Sequence, residues 1–463
     1  MKFKKCEINR IFFITLFALF LCSLCFGKQG FSIGHQKDKG NLFNFSSSFS
    51  AEIIETPKST MDSIFSYVCY KIPYKLLSFK KVSGRELYFS TYSVEVEFKD
   101  SIGVIRKRIF DKDTITLSDY EETKSDNLCK IGLLQTTMPI SEYKISVKLF
   151  DANSRQVDEL NFNQFFSNIA EGKGFLASPI FAYKDNIEDE TFFPFIHKNS
   201  IDFTAPNASI LLQIAFKPSI NGIFYSIETN EERNRDNFWN PTLSLKGELF
   251  PKMNKTFQIE YENNRIVQNI IDFNIDTKKK QNYEIGIVEI EIPEDEIIPG
   301  VYKLKLWANG AEDSISIDFK IDWFAMPITL RQPDFAVEAM YYILTDAEYK
   351  ELRSGPRKDL FTKILNYWQP HDPTPQTAFN EAMAEYFKRV DYAMLNFETL
   401  SEKNGAKTDR GKIYILFGPP AEIKQSNENG INVEIWKYDN LKKEFIFEVE
   451  SMSNYLLKKI IEN

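Results

Sequence analysis

Histidine is scarce in this sequence, which argues against two common kinds of catalytic site. The 463 residues include three histidines, His35, His197 and His371, and they lie far apart in the chain. A zinc site made of several imidazoles is therefore not expected. Nothing resembles the strand–turn–helix elbow that presents the nucleophilic serine of a hydrolase. The acidic runs 188–190 and 294–296 lack the glycine and the ligand spacing of an EF-hand, so we predict no metal and no cofactor.

Positive charge is also in short supply. There are 57 Lys and Arg against 65 Asp and Glu, a formal net charge of −8. Nucleic acid is not expected as a partner, because binding to phosphates requires a basic surface. The hydrophobic fraction of 43% and charged fraction of 26% are typical of folded protein. The 41 Phe and 21 Tyr favour β structure, and the length predicts about three domains.

The marked apolar run near the start, residues 11–26, is shorter than the roughly 20 residues that a membrane-spanning helix needs. Basic residues precede the run, and small residues allow cleavage after Gly27. We therefore predict a signal peptide at residues 1–27 and an exported protein that is periplasmic, outer-membrane-associated or secreted. Membrane association through an uncleaved signal or through lipidation is the alternative. Leucine immediately before Cys22 and Cys25 is unfavourable for lipidation.

Few cysteines remain once the predicted signal peptide is set aside. Of the five in the sequence, three fall within residues 1–27, which leaves Cys69 and Cys129. Both lie in the same predicted β domain and could form a disulfide in an oxidising compartment. The alternative is a pair of separate buried thiols on strands.

Composition and periodicity divide the rest of the chain into four segments. Residues 28–50 are rich in Gly, Ser, Asn and Lys and are predicted to be a flexible N-terminal segment. Residues 51–165 and 166–325 contain short apolar–polar alternations separated by polar turns, which predicts two all-β, immunoglobulin-like sandwich domains. Residues 334–463 turn helical and then return to strands, as in an α+β domain of helices followed by an antiparallel β meander. The predicted fold is therefore mixed.

One detail of the first β domain is specific enough to test. Residues 86–98 read as its clearest strand, but the apolar alternation changes phase by one position near Tyr92-Ser93. A phase change of this kind predicts a β-bulge. The segment 100–103 then reads as a turn before the next strand.

The C-terminal segment carries clear helix signals. Thr345 followed three positions later by Glu348 predicts a capping box at a helix start. Apolar residues at spacings of three and four predict an amphipathic helix from Phe379 to Phe397. Asn404-Gly405 is a plausible C-terminal cap for that helix.

Three strands are predicted after that helix. Residues 412–417 form an apolar run that reads as a strand buried on both faces. Residues 433–438 and 444–449 alternate, and the residues between them read as a hairpin turn.

A series of motifs runs from Asp334 to Val449: YYILTDAEYKEL at 341–352, Trp368, DPTP at 372–375, NE at 380–381, RVDYA at 389–393, GAKTDRG at 405–411, GPP at 418–420 and EIWKY at 434–438. In order and spacing, the series resembles the bacterial GWxTD-domain family. The family has no established activity, so the resemblance implies a domain and not a reaction. The family's naming tryptophan is Ala406 here, so no role that rests on that indole carries over.

Within these motifs we predict residues with a structural role: Asp372, Asn380, Glu381, Arg389, Gly405, Thr408, Asp409, Arg410, Gly411, Gly418, Pro419, Trp436 and Tyr438. No catalytic residue is predicted. In the structural interpretation Asp409 caps a turn by accepting backbone amides, and Arg410 or Arg389 pairs with helix carboxylates. In the alternative, Asp409 and Arg410 act in a hydrolase with Asp372, Glu381 or Arg389, an oriented carboxylate serving as acid or base.

Trp436 and Tyr438 also allow two interpretations. They could form an aromatic docking patch for a peptide or glycan, or fill a core between helices and sheet. The sequence as a whole predicts a non-enzymatic interaction or structural protein of the bacterial cell envelope with a protein partner. A hydrolase and a carbohydrate- or peptide-binding module remain as alternatives.

Overall fold

The computed structural model of the chain describes residues 48–57, 62–124, 128–153, 155–164, 166–169, 174–186, 191–217, 222–234, 237, 239, 241–249, 257–263, 266–273, 284–309, 314–428, 430–451 and 454–462. The predicted signal peptide and most of the segment 28–50 lie outside these residues. Within the described ranges, no helix is both long and apolar enough to cross a membrane. The chain divides into two compact units, one mostly at residues 44–324 and the other mostly at 325–463.

The first unit is built of strands. They are β1 (Ser50–Pro57), β2 (Ser63–Pro73), β3 (Lys80–Lys81), β4 (Tyr88–Lys99), β5 (Ile105–Leu117), β6 (Cys129–Pro139), β7 (Lys144–Phe150), β8 (Gln156–Asn163), β9 (Ser167–Ile169), β10 (Gly174–Leu176), β11 (Ile180–Tyr183), β12 (Thr191–Pro194), β13 (Ser200–Asp202), β14 (Ala208–Phe216), β15 (Ile223–Thr229), β16 (Ser244–Leu249), β17 (Phe257–Asn263), β18 (Ile266–Phe273), β19 (Glu284–Glu291), β20 (Gly300–Ala308) and β21 (Ile315–Asp322).

These strands form four sheets within the described residues. Three strands pair in the order β1-β2-β6, and five form β3-β4-β7-β8 with β5 on the free side of β4. Eight strands form β18-β17-β12-β11-β14-β10-β9 with β19 on β14, and five form β13-β21-β20-β15-β16. Nearly all of this pairing is antiparallel, as short connections require. The predicted β-rich N-terminal region is therefore confirmed at this level.

Strand β1 is buried on both faces. Alternate residues of a strand point to opposite sides. Ile53 accordingly packs into a large core with residues of β2, β4 and β7. Ile54 packs into a smaller core with Cys69 and residues of β11, β14 and β19. Because both faces are covered, Glu52 and Glu55 are carried into the interior as well.

The predicted bulge near Tyr92-Ser93 is wrong. Along β4 the buried positions alternate without interruption from Ser90 to Val96, and the register shift lies between Phe98 and Lys99. The apparent change of phase came from Phe89, an apolar residue on the exposed face of the strand. Single exposed apolar residues are common, so the alternation of hydrophobicity alone cannot assign faces.

The ladder between β2 and β6 separates the two cysteines. Cys69 lies opposite Leu133, and Cys129 lies opposite Pro73, so they are four positions apart along the paired strands. At about 3.4 Å per residue that offset is roughly 13 Å. A disulfide needs Cα atoms within about 7 Å, so this register holds Cys69 and Cys129 apart.

The second unit consists of helices followed by one sheet. The helices are α1 (Pro333–Ala339), α2 (Asp346–Arg353), α3 (Leu360–Trp368), α4 (Glu381–Asn396) and α5 (Asp409–Phe417). The strands are β22 (Glu422–Glu428), β23 (Ile431–Tyr438), β24 (Lys443–Ser451) and β25 (Asn454–Glu462), and they form an antiparallel meander in that order. The prediction of helices followed by a meander is confirmed.

The predicted capping box, amphipathic helix and hairpin of this unit are all present in the structure. Thr345 and Glu348 make the reciprocal hydrogen bonds of a capping box at the start of α2. The predicted amphipathic helix is α4, with its apolar side chains buried. The hairpin between β23 and β24 turns through residues 439–442, with Lys442 in the left-handed conformation at φ 51°.

Two predictions for the following segment are wrong. Residues 412–417 belong to helix α5 and not to a strand. Ile413, Ile415, Leu416 and Phe417 are all buried there, and a segment covered on nearly every side shows no periodicity that could separate helix from strand. Gly405 does not cap α4 either, because that helix ends at Asn396 and Gly405 begins a separate 3₁₀ turn.

Candidate functional site

The motif between α4 and α5 forms a joint that is held by two successive side-chain caps. Asn404 accepts a hydrogen bond from the amide of Ala406 at 3.1 Å and so starts the 3₁₀ turn. Thr408 then accepts from the amide of Gly411 at 3.1 Å, while its hydroxyl donates to the Gly405 carbonyl at 2.8 Å. These bonds satisfy amides that a helix start leaves without partners. The cap of α5 is therefore Thr408, and the prediction that Asp409 caps the turn is wrong.

Two glycines allow the joint to lie directly against α4. A Cβ atom on Gly405 would lie 2.2 Å from the carbonyl oxygen of Ala393 in α4. A Cβ on Gly411 would lie 2.0 Å from the carbonyl oxygen of Gly405. Because both neighbours are backbone atoms, no side-chain rotation could relieve either contact. The GxxxxxG spacing in GAKTDRG thus serves a close approach of two backbones.

Asp409 connects the start of α5 to the edge of the sheet. Its Oδ2 accepts a hydrogen bond from the amide of Leu457 in β25 at 2.8 Å. Leu457 lies where the register between β24 and β25 shifts, so this amide belongs to an irregular part of the ladder. The carboxylate lies in the first turn of its helix, where negative charge is favourable. Asp409 therefore holds a helix and a strand together.

Arg410 lies between aromatic rings. Its guanidinium is 3.5 Å from the ring centroid of Tyr455 and 5.2 Å from that of Phe397. Its Nη1 is 3.4 Å from Oε1 of Glu434, an oxygen that also accepts from the indole N–H of Trp436 at 2.8 Å. The carboxylate beside Arg410 therefore lies on strand β23, whereas the prediction was that Arg410 or Arg389 pairs with a helix carboxylate.

We expect Asp409→Ala to lower the free energy of unfolding by about 1.5–3 kcal/mol, since it removes a hydrogen bond from an amide to a charged acceptor. Urea unfolding of the full chain measures the change. Asp439→Ala is the matched control, because Asp439 forms an exposed pair with Lys437 and should change stability by less than about 0.5 kcal/mol. Equal effects of the two variants would contradict a structural role of Asp409.

Arg389 is the most deeply buried charge of the C-terminal unit, with 2% of its surface exposed. Its Nε donates to Oε1 of Glu385 at 2.7 Å, so the predicted pairing with a helix carboxylate holds for this arginine. Its Nη1 and Nη2 make no hydrogen bond within the described residues. The guanidinium lies against Gly418, where a Cβ would come within 3.1 Å of Cζ. Gly418 also has φ +77°, so glycine is favoured there on both grounds.

Asp372, Asn380 and Glu381 form a second group at the start of α4. Asn380 caps the helix by accepting from the Met383 amide at 2.8 Å. Thr374 joins the two acids, since its amide donates to Asp372 at 2.9 Å and its hydroxyl is 2.6 Å from Oε2 of Glu381. Burial raises the pKa of Asp372 and of Glu381, and the charge of Asp372 contributes to the rise at Glu381. Asp372 and Glu381 are therefore both hydrogen-bonded to Thr374, whereas Asp409 is hydrogen-bonded to the amide of Leu457.

Trp436 and Tyr438 are core residues. Both are buried on the helix-facing side of β23. The ring of Trp436 lies 5.0 Å from Phe447, and the ring of Tyr438 lies 5.5 Å from Phe445. The Tyr438 hydroxyl donates to the Gly418 carbonyl at 2.8 Å. Trp436 and Tyr438 therefore do not form an exposed aromatic patch. Pro419, in the GPP motif, is exposed.

Sequence reasoning missed two features of this unit. The hydroxyl of Tyr342 donates to the carbonyl of Ala406, and burial raises the pKa of Tyr342 to about 12. A cleft lined by Arg331, Arg353 and Arg357 opens beside α1. No local signal marks that cleft, because its arginines are spread over the chain and are interspersed with acids.

The family model of the GWxTD domain matches residues 311–460. This range contains the whole joint, the Arg389 site and all but the last two residues of the meander. No curated protein matches the chain.

Proposed function

We propose that this GWxTD domain-containing protein is an exported, non-enzymatic interaction protein of the bacterial cell envelope, and that it docks to a protein partner. In this proposal the β region forms immunoglobulin-like sandwiches that present the docking surface, and the C-terminal domain supports the contact. The predicted signal peptide provides the route to the envelope.

The joint of the C-terminal domain supports a structural role over a catalytic one. A general base must reach a substrate proton at hydrogen-bond distance. Oδ2 of Asp409 is instead bound by the Leu457 amide, and the Arg410 guanidinium lies against the ring of Tyr455. The burial of Trp436 and Tyr438 likewise argues against a glycan or peptide site on those rings.

The observation that carries the proposal is an apolar tip on the hairpin between β4 and β5. We define the apolar tip as Ile102, Val104 and Ile105, which are 79%, 46% and 42% exposed. Exposed apolar residues are ordinary when they stand alone, but neighbouring ones form a patch of the kind that binds other proteins. Phe110, further along β5, is also exposed.

Asp100 holds the apolar tip in one conformation. Its Oδ1 accepts from the amides of Ile102 at 3.1 Å and Val104 at 2.9 Å, and its Oδ2 accepts from Nε of Arg106 at 2.6 Å. A pre-ordered loop loses less conformational entropy when a partner binds, which favours affinity. The side chains are thus presented on a fixed turn, as a docking surface requires.

We expect Ile102→Asp to abolish recovery of the partner, because a charge placed at the centre of an apolar contact is desolvated without compensation. The measurement is crosslinking and pull-down of the tagged full chain from envelope fractions, quantified by mass spectrometry. We expect at least about a tenfold loss of the partner, which corresponds to about 1.4 kcal/mol.

Leu400→Asp is the matched control for this experiment. Leu400 is also 79% exposed but lies in the C-terminal unit, so its change leaves the apolar tip intact. Both variants should unfold at the wild-type temperature because both side chains are on the surface. The proposal fails if wild type recovers no partner above background, or if Ile102→Asp recovers the same partner in the same amount.

A further inference from the structure

We propose that, in the docking proposed above, on which this inference rests, the free edge of strand β5 binds an extended acidic segment of the partner protein as an added β-strand. Strand β5 is 13 residues long and, within the described residues, pairs with β4 alone. Most of its residues are exposed, and exposed neighbours such as Lys107 and Arg108 point to opposite faces of the sheet. The unpaired peptide groups of such an edge are a template for another strand.

The peptide groups of Phe110 and Lys112 are directed to this free edge. In an antiparallel ladder, residues that bond to the neighbouring strand alternate with residues that do not. The amide of Thr114 donates to Oδ1 of Asp113 at 2.7 Å, and the hydroxyls of Thr114 and Thr91 are 3.3 Å apart, as in a pair that is not hydrogen-bonded through the backbone. Lys112 and Phe110 lie two and four positions before Thr114 without a register shift between them, so their peptide groups also point away from β4.

The outer face of β5 presents an apolar side chain between two cations. Phe110 is 72% exposed. Arg108 and Lys112 lie on either side of it on the same face, since alternate residues of a strand share a face. Arg108 is already paired with Glu95 and Glu97 of β4. An added strand would therefore place an apolar residue beside Phe110 and an acidic residue beside Lys112.

Lys112 is available to a carboxylate of that strand. It forms no ion pair in the part of the chain that the structure describes, and Ser93 lies opposite it on β4. Its sequence neighbours Asp111 and Asp113 point to the other face, where Asp113 pairs with Lys130. Because opposite charges at facing positions of neighbouring strands attract, this position favours Asp or Glu in the partner.

A second copy of the chain fits this edge poorly. If two β5 strands paired antiparallel about Phe110, each Arg108 would lie opposite a Lys112. Parallel pairing in register would bring the two Lys112 side chains together. Like charges at facing positions are destabilising, and basic side chains on edge strands discourage such pairing. The occupant we assign is therefore an acidic segment of another protein.

The probe for this edge is a designed nine-residue peptide with Phe at its centre, Glu two positions before and after it, and Thr elsewhere. This arrangement presents Glu to Lys112 in either strand direction. Binding of the labelled peptide to the full chain is measured by fluorescence anisotropy, and we expect it to saturate. Methylation of one alternate set of peptide amides should weaken binding by at least about tenfold, because several hydrogen bonds are lost. Methylation of the other set should change binding much less, because only one edge of the peptide can pair with β5.

Lys112→Glu provides a charge-reversal test. It should weaken binding of the Glu peptide by about threefold or more, and strengthen binding of the same peptide with Lys in place of Glu, because facing charges interact. Lys459→Glu is the matched control, since Lys459 is exposed and lies on β25, an edge strand of the other unit. Urea unfolding verifies that both surface variants are folded.

Several outcomes would overturn the assignment. They are the absence of saturable binding of the Glu peptide by wild type, equal binding of the peptides methylated on either edge, and equal effects of Lys112→Glu and Lys459→Glu. A wild-type dimer in analytical ultracentrifugation that the peptide dissociates would also overturn it, because the edge would then belong to a second copy.

Ile102→Asp separates strand addition from the docking on which it rests. Ile102 lies in the turn, before the first residue of β5, so Ile102→Asp should bind the peptide as wild type does. If Ile102→Asp abolishes recovery of the envelope partner, but Lys112→Glu and excess peptide leave recovery unchanged, the docking holds and strand addition is wrong. If the peptide binds as expected but wild type recovers no partner, strand addition at β5 is supported and the docking proposal fails.

Discussion

Gly405→Ala is expected to destabilise the C-terminal domain by about 3 kcal/mol or more, a large effect for one added methyl group. The new Cβ would lie 2.2 Å from the carbonyl oxygen of Ala393 and 2.6 Å from the carbonyl carbon of Phe397. Because these are backbone atoms at the end of α4, the joint or the helix must move. Either movement disturbs the packing of α5 on α4.

Hydrogen exchange measured by mass spectrometry is the appropriate readout, because it reports each segment of a two-unit chain separately. We expect protection to fall in α4, α5 and β25 and to be unchanged in the strands of the first unit. Gly430→Ala is the control. A Cβ at Gly430 meets nothing within 4 Å, so only its φ of +84° opposes alanine, at about 1–2 kcal/mol. Equal loss of protection in the two variants would show that backbone contact at Gly405 is unimportant.

The second large effect is a loss of stability with rising pH, caused by two buried acids on β1. Burial raises the pKa of Glu52 to about 8, opposed by the amides of Asn199 and Ile53 and by the charge of Lys198. Burial raises the pKa of Glu55 to about 8 as well, opposed by hydrogen bonds from Ser178. Both carboxyls are therefore protonated in the folded protein at neutral pH.

The direction in which stability changes with pH follows from the pH at which the carboxyls bind protons in the folded and in the unfolded state. In the unfolded chain these acids titrate near pH 4.5, whereas in the folded protein they titrate near pH 8. Between these values the folded state holds protons that the unfolded state has released, so stability falls as pH rises. The contribution is fully present below about pH 4.5 and is lost by about pH 8. Each carboxyl accounts for a loss on the order of 4 kcal/mol.

We expect Glu52→Gln/Glu55→Gln to remove this pH dependence, because glutamine keeps the shape of the protonated acid and does not titrate. The measurement is the free energy of unfolding from pH 4.5 to 9 for variant and wild type. The difference between them isolates Glu52 and Glu55, since His197 and the other titrating groups are present in both proteins. The free energy of unfolding of the variant should increase relative to that of wild type as pH rises. A difference that stays constant with pH would contradict the assignment.

Glu97→Gln provides a control of opposite sign. Hydrogen bonds from Lys148 and Arg108 lower the pKa of Glu97 to about 2. Its contribution to stability is therefore present above the unfolded pKa near 4.5 and is lost as pH falls toward 2. The Glu97→Gln variant should be less stable than wild type at pH 7, and the difference should shrink in acid.

Much of the C-terminal unit could be predicted because its signals are local. The capping box of Thr345 and Glu348 and the turn at residues 439–442 depend on residues within a few positions of one another. The spacing of apolar residues in α4 is also readable without knowledge of its partners. The predicted motif residues Asn380 and Thr408 both prove to be helix caps.

The failures have a common physical origin in contacts that are distant in the chain. Residues 412–417 are helical, although their apolar pattern also suits a strand. The pattern is ambiguous because the surrounding core covers these residues on nearly every side. Glu52 and Glu55 look like ordinary strand acids, but both faces of β1 are covered, so they become buried. Of the two arginines offered as partners of a helix carboxylate, Arg389 pairs with Glu385 in α4, whereas Arg410 lies beside Glu434 on a strand.

By itself the sequence determined the start of α2, the amphipathic helix α4, the hairpin between β23 and β24, the match of residues 311–460 to the GWxTD domain model and the β character of the N-terminal region. These follow from hydrogen bonds and periodicities that span a few residues. Only the tertiary structure decided the partner of Asp409, which is 48 positions away, and the convergence of Arg331 with Arg353 and Arg357. The free energy of those contacts depends on burial and on distances in space, which no short window of sequence contains.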